Sequence, residues 1–270
     1  MKNKFYEPIR AEGMSKIMII DTHTHYNDKR YHEDCESLIK SLPENGVEIV
    51  INVGCDLKTS KASVKLAEEY PHVYASVGVH PHYAGSLTDD DLEEIKCLAA
   101  NKKVVAFGET GLDFFHNFST PYEQRLWFKR QLEIIGELGL PAIIHSRDAS
   151  DETFAFIEAM PAVRTGVIHA FSGDAKLAQD YVKLGFHIGI GGVVTFNKAD
   201  ALKEAVAAVP LERILLETDC PYLTPAPFRG KRNESAYLSY VAEAIAKIKG
   251  ISAETVIAQT NKNAKKLFAL

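Results

Sequence analysis

The stretch Ile17-Met18-Ile19-Ile20-Asp21-Thr22-His23-Thr24-His25 couples a short apolar run to a His-x-His pair. Such a run predicts a strand over residues 17–22, and strand side chains alternate between faces with period 2. His23 and His25 then leave the strand's carboxyl end on one face, side by side, where two imidazoles can share a metal ion. Taken alone, the pair equally fits two polar residues where a strand meets a loop. The rest of the chain decides the matter, because later strands end in His, Glu and Asp in the same manner.

Working outward, further strands are predicted over 48–53, 73–79, 103–107, 141–145, 165–169, 186–190 and 213–216. Helices are predicted between them over 35–45, 60–70, 89–100, 121–138, 149–160, 174–184 and 198–208, and 235–249 and 252–268 close the chain. Acidic residues open the 89–100 helix, and Pro121 and Gly139 bracket the longest one. Strand and helix alternate roughly eight times with no linker between halves, which predicts one α/β domain folded as a (β/α)8 TIM barrel. A doubly wound open sheet is the second option, but no G-x-G-x-x-G follows the first strand. The barrel domain is expected over 17–270. Residues 1–16, mixed polar and without period, read as an N-terminal extension, with Met14 a candidate for the original start.

Composition narrows the class. The 270 residues fit one barrel or two ordinary domains, and 46% hydrophobic with 25% charged residues is that of a soluble globular protein. No apolar stretch is long enough to span a bilayer, the start lacks a signal peptide's apolar core, and no membrane association is expected. Cys35, Cys55, Cys97 and Cys220 form no C-x-x-C pair and read as reduced thiols of a cytoplasmic protein. A net charge of −5 argues against broad electrostatic binding to duplex DNA, although not against a local basic patch.

The predicted strands end in Gly78-Val79-His80-Pro81-His82, Gly108-Glu109-Thr110-Gly111-Leu112-Asp113, His145-Ser146-Arg147, His169-Ala170-Phe171 and Glu217-Thr218-Asp219. In a barrel these ends converge on one mouth. Several ionisable groups gathered there need a compensating partner, and a metal supplies it. Four imidazoles and two carboxylates without a thiolate suit zinc, magnesium or manganese. They also exceed what one tetrahedral zinc takes, which predicts two divalent ions bridged by Glu109. His23, His25 and Asp219 would complete one shell, and His145 and His169 the other. Asp219 is the expected proton acceptor.

Other polar groups have two readings each. His80 suits a phosphate or braces its loop; Arg147 suits a substrate anion or an ion pair. The loop 224–232 ends in Arg229, Lys231 and Arg232 and suits phosphate recognition or plain solvation, with Phe228 a stacking face for a base. His82 reads as loop structure. Asp113 reads as an outer support for Glu109 or as a cap. His32, His72, His116 and His187 receive no role.

These motifs, with Leu140-Pro141-Ala142-Ile143-Ile144-His145-Ser146-Arg147, Glu217-Thr218-Asp219-Cys220-Pro221-Tyr222-Leu223-Thr224-Pro225 and Gly230-Lys231-Arg232-Asn233-Glu234, occur in order from about Ile17 to the end. The chain resembles the TatD family of metal-dependent deoxyribonucleases. The resemblance implies a TIM barrel of the amidohydrolase superfamily and divalent-metal hydrolysis of DNA phosphodiesters. It carries metal roles onto His23, His25, Glu109, His145, His169 and Asp219. A concave mouth further predicts action on single-stranded DNA ends, with no stable protein partner. Two rivals remain: an amidohydrolase acting on a small ester or amide, and a metal-binding scaffold without catalysis. Glu109 stands where many amidohydrolases carry a carboxylated lysine, which favours phosphate esters.

Overall fold

The computed structural model describes residues 18–116 and 118–270. The predicted extension over 1–16 and the first residue of the predicted opening strand lie outside the described residues. In chain order the elements are β1 (Ile19–Thr24), α1 (Cys35–Ser41), β2 (Val47–Val53), α2 (Leu57–Glu69), β3 (Val73–Val77), α3 (Asp89–Leu98), β4 (Val104–Asp113) and α4 (Pro121–Leu138). There follow β5 (Ala142–Arg147), α5 (Ser150–Glu158), β6 (Gly166–Ile168), α6 (Ala175–Lys183), β7 (His187–Ile190), α7 (Asp200–Ala208), β8 (Ile214–Leu216), α8 (Leu238–Lys249) and α9 (Ala253–Phe268). The strands are parallel and adjacent in chain order, a (β/α)8 barrel. No helix among the described residues is long and apolar enough to cross a membrane.

The seam between the last and first strands is closed largely by the segment after β8. Asp219 N–H donates to the His23 carbonyl at 3.0 Å, and His25 N–H donates to the Cys220 carbonyl at 2.9 Å. Thr22 Oγ1 adds a bond to the Leu216 carbonyl at 3.0 Å. The buried Asp21 carboxylate stitches the same seam, accepting from Thr218 N–H at 3.0 Å, Thr218 Oγ1 at 2.6 Å and Ser235 Oγ at 2.6 Å. Burial pushes this carboxyl up to about 7, against the pull of those donors.

Two apolar layers follow from the strand alternation. One side of the sheet packs on the helices, through residues such as Val50, Val77, Phe107, Ile144 and Ile188. The other fills the barrel, where Ile20, Ile51, Val105, Ile143, Val167 and Leu215 meet Leu267 and Phe268 of α9. Helix α9 crosses the amino-terminal end of the barrel, its Asn261 bonding Ile20 N–H at 3.0 Å and the Met18 carbonyl at 2.6 Å. The opposite, carboxyl-end mouth is left for polar side chains.

Helix boundaries follow local capping. Helix α4 spans the predicted residues, with Thr120 in a capping box and Gly139 left-handed at its end. Helix α2 starts earlier than predicted because Asp56 caps it, accepting from Thr59 N–H at 2.7 Å.

The largest difference lies in β4, predicted to stop at Phe107 and running to Asp113. Gly108 and Gly111 resemble turn residues in sequence, yet they carry the strand past β5 with φ of +140° and +148°. A Cβ on Gly111 would run into the carbonyl oxygen of His145, its register partner. Gly111→Ala is therefore expected to destabilise the protein by about 3 kcal/mol. The measurement is the urea midpoint; an unchanged midpoint would disprove this close approach of β4 to β5.

Candidate metal centre

The six predicted ligand residues all reach the carboxyl-end mouth. His23 lies near the end of β1 with His25 just beyond it, Glu109 lies within β4 and His145 within β5; His169 follows β6 and Asp219 follows β8. Asp219 takes a left-handed backbone (φ 54°), a conformation Asp tolerates better than most residues. There its N–H meets β1, as described for the seam, and its carboxylate faces the imidazoles.

Glu109 is the hub. Its Oε2 faces His23 Nε2 at 3.4 Å and His25 Nε2 at 4.0 Å. Its Oε1 faces His145 Nδ1 at 2.8 Å, His80 Nε2 at 3.7 Å and His169 Nε2 at 3.9 Å. Asp219 Oδ1 lies 3.3 Å from His25 Nε2 and 3.8 Å from both His23 Nε2 and His169 Nε2. Burial pushes the Glu109 carboxyl up, but the imidazoles of His80, His169 and His23 and the hydrogen bond from His145 hold it well below the usual range. Asp219 is also pulled down: His25, His169 and His23 outweigh burial.

Outer contacts decide which ring nitrogens can bind a cation. His25 Nδ1 lies 3.1 Å from the Val53 carbonyl, which only accepts, so Nδ1 carries the proton and Nε2 presents its lone pair inward. His169 Nδ1 lies 3.0 Å from Glu217 Oε1, with the same consequence for its Nε2. Glu217 is itself held by the Ala170 N–H at 2.5 Å. His23 Nε2 and His25 Nε2 approach to 3.1 Å while both face carboxylates, an arrangement that a shared cation stabilises.

His145 lies between two carboxylates, with Nε2 3.4 Å from Asp113 Oδ2. Burial pulls its pKa down, and Asp113 and Glu109 outweigh that and raise it. His169 is likewise raised to about 9, Glu217 and Glu109 overcoming burial. Both shifts mark a demand for positive charge among the carboxylates, which divalent ions would meet, so the donor set fits the metal.

The grouping differs in detail from the sequence expectation. His23, His25 and Asp219 come together as one set of potential ligands. His169 groups with His23 and Glu109, their rings stacked at 3.4 Å, whereas His145 groups with His80 and Glu109. His80 is built differently from the others. Its Nδ1 accepts from His82 N–H at 3.1 Å, which puts its proton on Nε2, facing Glu109 as a donor. Burial and His145 push its pKa well below the ordinary histidine value.

Arg147 is exposed beside the mouth, 3.3 Å from His116 Nε2 and 4.1 Å over the Phe115 ring. Arg229 is exposed and lies over Phe196 at 4.4 Å. Two parts of the 224–232 loop are committed elsewhere. Arg232 grips Asp34 at 2.8 and 2.5 Å, and Phe228 stacks on Tyr237 at 4.6 Å, leaving that face unable to receive a base.

Sequence reasoning missed a second group at the mouth. His82, Asp113 and His116 place ligand atoms within 4.8 Å of one another, and His82 Nε2 lies 2.8 Å from Asp113 Oδ2. The Arg147 guanidinium beside His116 already supplies a positive charge, so this group is poorly suited to a metal ion. His82 and Asp113 instead support His145. The alternating spacing His80-x-His82 is the one signal that pointed here. Cys55 Sγ lies 3.9 Å from His25 Nδ1, but burial raises its pKa and keeps it a thiol.

A parallel barrel whose mouth gathers buried imidazoles around shared carboxylates has the donor set of a metal-dependent hydrolase. The family model described as TatD related DNase matches residues 20–269, and the chain belongs to the TatD family. The uncharacterized metal-dependent hydrolase YabD of Bacillus subtilis (strain 168) is 42% identical over 254 residues, covering 94% of this chain and 100% of the relative. A Citrobacter rodentium (strain ICC168) protein named 3'-5' ssDNA/RNA exonuclease TatD is 35% identical over 258 residues, covering 93% and 98%. The crystal structure of YJJV, a TatD homolog from Escherichia coli k12, matches with a TM-score of 0.90 at 30% identity, covering 95% and 100%.

Proposed function

We propose that this metal-dependent hydrolase cleaves DNA phosphodiester bonds, working from single-stranded ends. Two divalent ions would be held by His23, His25, Glu109, His145, His169 and Asp219. The observation that carries the reading is the Glu109 carboxylate, whose two oxygens face different imidazole sets, as a bridge between two ions does. Ions bound there would acidify a water molecule and neutralise the charge of the phosphate.

The protein's own groups supply the rest. Asp219, whose side chain is 18% exposed against 4% for Glu109, is the open carboxylate and takes the proton at Oδ. His80 offers its Nε2–H to a phosphate oxygen, and Arg147 and Arg229 meet phosphates outside the centre. The mouth is concave, so a strand end can enter, whereas the middle of a duplex must be unpaired at a cost of about a few kcal/mol. The relative named as an exonuclease supports the same substrate class. The four cysteines are free, which suits a reducing compartment such as the cytoplasm.

The test is turnover by protein reconstituted with zinc, magnesium or manganese. Linear single-stranded DNA labelled at one end should shorten from a terminus at least about tenfold faster than closed circular duplex is nicked. Circles cut as fast as linear strands would replace end recognition with internal cleavage. Hydrolysis of small amides or carboxylic esters, with DNA untouched, would reject the substrate class.

A further inference from the structure

The loop after β4 holds two large apolar rings in solvent: Phe115 is 55% exposed and Phe118 is 70% exposed. The loop is pinned at both ends. Gln124 accepts from Asp113 N–H at 2.9 Å and donates to the Asp113 and Ser119 carbonyls at 2.9 and 3.1 Å. Asp113 Oδ1 accepts from the N–H groups of Phe115 and His116 at 3.0 and 2.9 Å. Ser119 Oγ donates to the His82 carbonyl at 3.0 Å, and Phe114 N–H donates to the Arg147 carbonyl at 2.9 Å. Both ends of the loop are thus held, and the two rings it presents would gain by burial.

The neighbours indicate what covers them. The Arg147 guanidinium lies over one face of Phe115, His116 stacks on one face of Phe118 at 5.4 Å, and both rings remain exposed over more than half their surface. The pair also stands close to the metal centre. His82 touches the Phe118 ring at 4.8 Å, His80 touches His82 at 4.2 Å, and His80 Nε2 faces Glu109. Flat apolar faces beside a cation match a ligand that alternates planar rings with anions. A lipid tail or an apolar peptide lacks that alternation.

We propose that Phe115 and Phe118 form a stacking platform for nucleobases beside the scissile phosphate, with Arg147 holding a neighbouring phosphate. The proposal rests on the DNA reading above and names the part of the protein that grips the bases. Aromatic stacking tolerates every base, so the platform confers a preference for single strands rather than for a sequence. Phe228, by contrast, is half-buried, with Tyr237 stacked on one face and Tyr240 set against the ring.

The experiment compares kcat/KM for a single-stranded oligodeoxynucleotide with kcat/KM for methyl 4-nitrophenyl phosphate, which carries no base. In Phe115→Ala with Phe118→Ala, the ratio of the two should fall at least about fivefold, through KM for the oligonucleotide. Phe118→Trp should keep the wild-type ratio. Because the single native tryptophan, Trp127, is buried, fluorescence of this variant should be quenched by the oligodeoxynucleotide. An unchanged ratio in the double variant, or equal loss on both substrates, would overturn the platform. Quenching without DNA turnover would reject the nuclease reading and leave the platform standing. Neither quenching nor turnover would reject both.

Discussion

Replacing Glu109 with glutamine is expected to lower kcat/KM for phosphodiester hydrolysis at least about a thousandfold, or about 4 kcal/mol of activation free energy. The substitution keeps the side chain's shape and removes its charge. It also turns an amide toward one of the two imidazole sets that the Glu109 oxygens now face. An amide nitrogen cannot coordinate as a carboxylate oxygen does, so the bridge between the sets is lost. Bound metal should fall from the two ions per chain proposed above to at most one, measured by elemental analysis after dialysis. Circular dichroism should be unchanged, because the barrel seam and the apolar layers do not involve this side chain. Near wild-type turnover at saturating metal would show that Glu109 is not the hub of the reaction.

Asp219→Asn should lower kcat about a thousandfold, within the range for losing a positioned base. At least one ion should remain, because the imidazoles of His23 and His25 and the carboxylate of Glu109 are untouched. The pH profile separates this variant from one that merely binds metal poorly. His25, His169 and His23 hold the wild-type Asp219 carboxyl below its ordinary value despite burial, so it is ionised throughout the neutral range. Raising the pH therefore adds no base to the wild type, whereas in the asparagine variant, where the water must lose its proton to solvent, kcat should rise with pH. A variant that keeps the wild-type rate at neutral pH and the wild-type pH profile would assign proton removal to another group.

Much of the barrel was legible because each strand is a short apolar run stopped by polar residues, a local pattern. That the six residues predicted as ligands share one mouth was legible for the same reason. Each stands at or just past such a run, and closing the barrel brings them together without further instruction. Strand β4 was misread because Gly108 and Gly111 look like a turn, and only the neighbouring β5 backbone shows why a strand needs them. Loop side chains were harder still. His116 and His82 meet Asp113 across two different loops, and no periodicity fixes where loops turn. Phe228 looked free in sequence until the chain returned with Tyr237, and Arg232 looked like a spare cation until Asp34 met it.

The seam between β8 and β1 also has a consequence in time. A ribosome releases β1, with His23 and His25, before the other strands, and Asp219 follows only after every strand of the barrel has emerged. Until then Asp21 has no Thr218 or Ser235 to bind, and the His23 carbonyl has no partner in the Asp219 N–H. A chain that stops early thus carries an unzipped sheet and only part of the ligand set. Completion of the barrel and completion of its reactive mouth are one event, so an unfinished copy of this hydrolase is born disarmed.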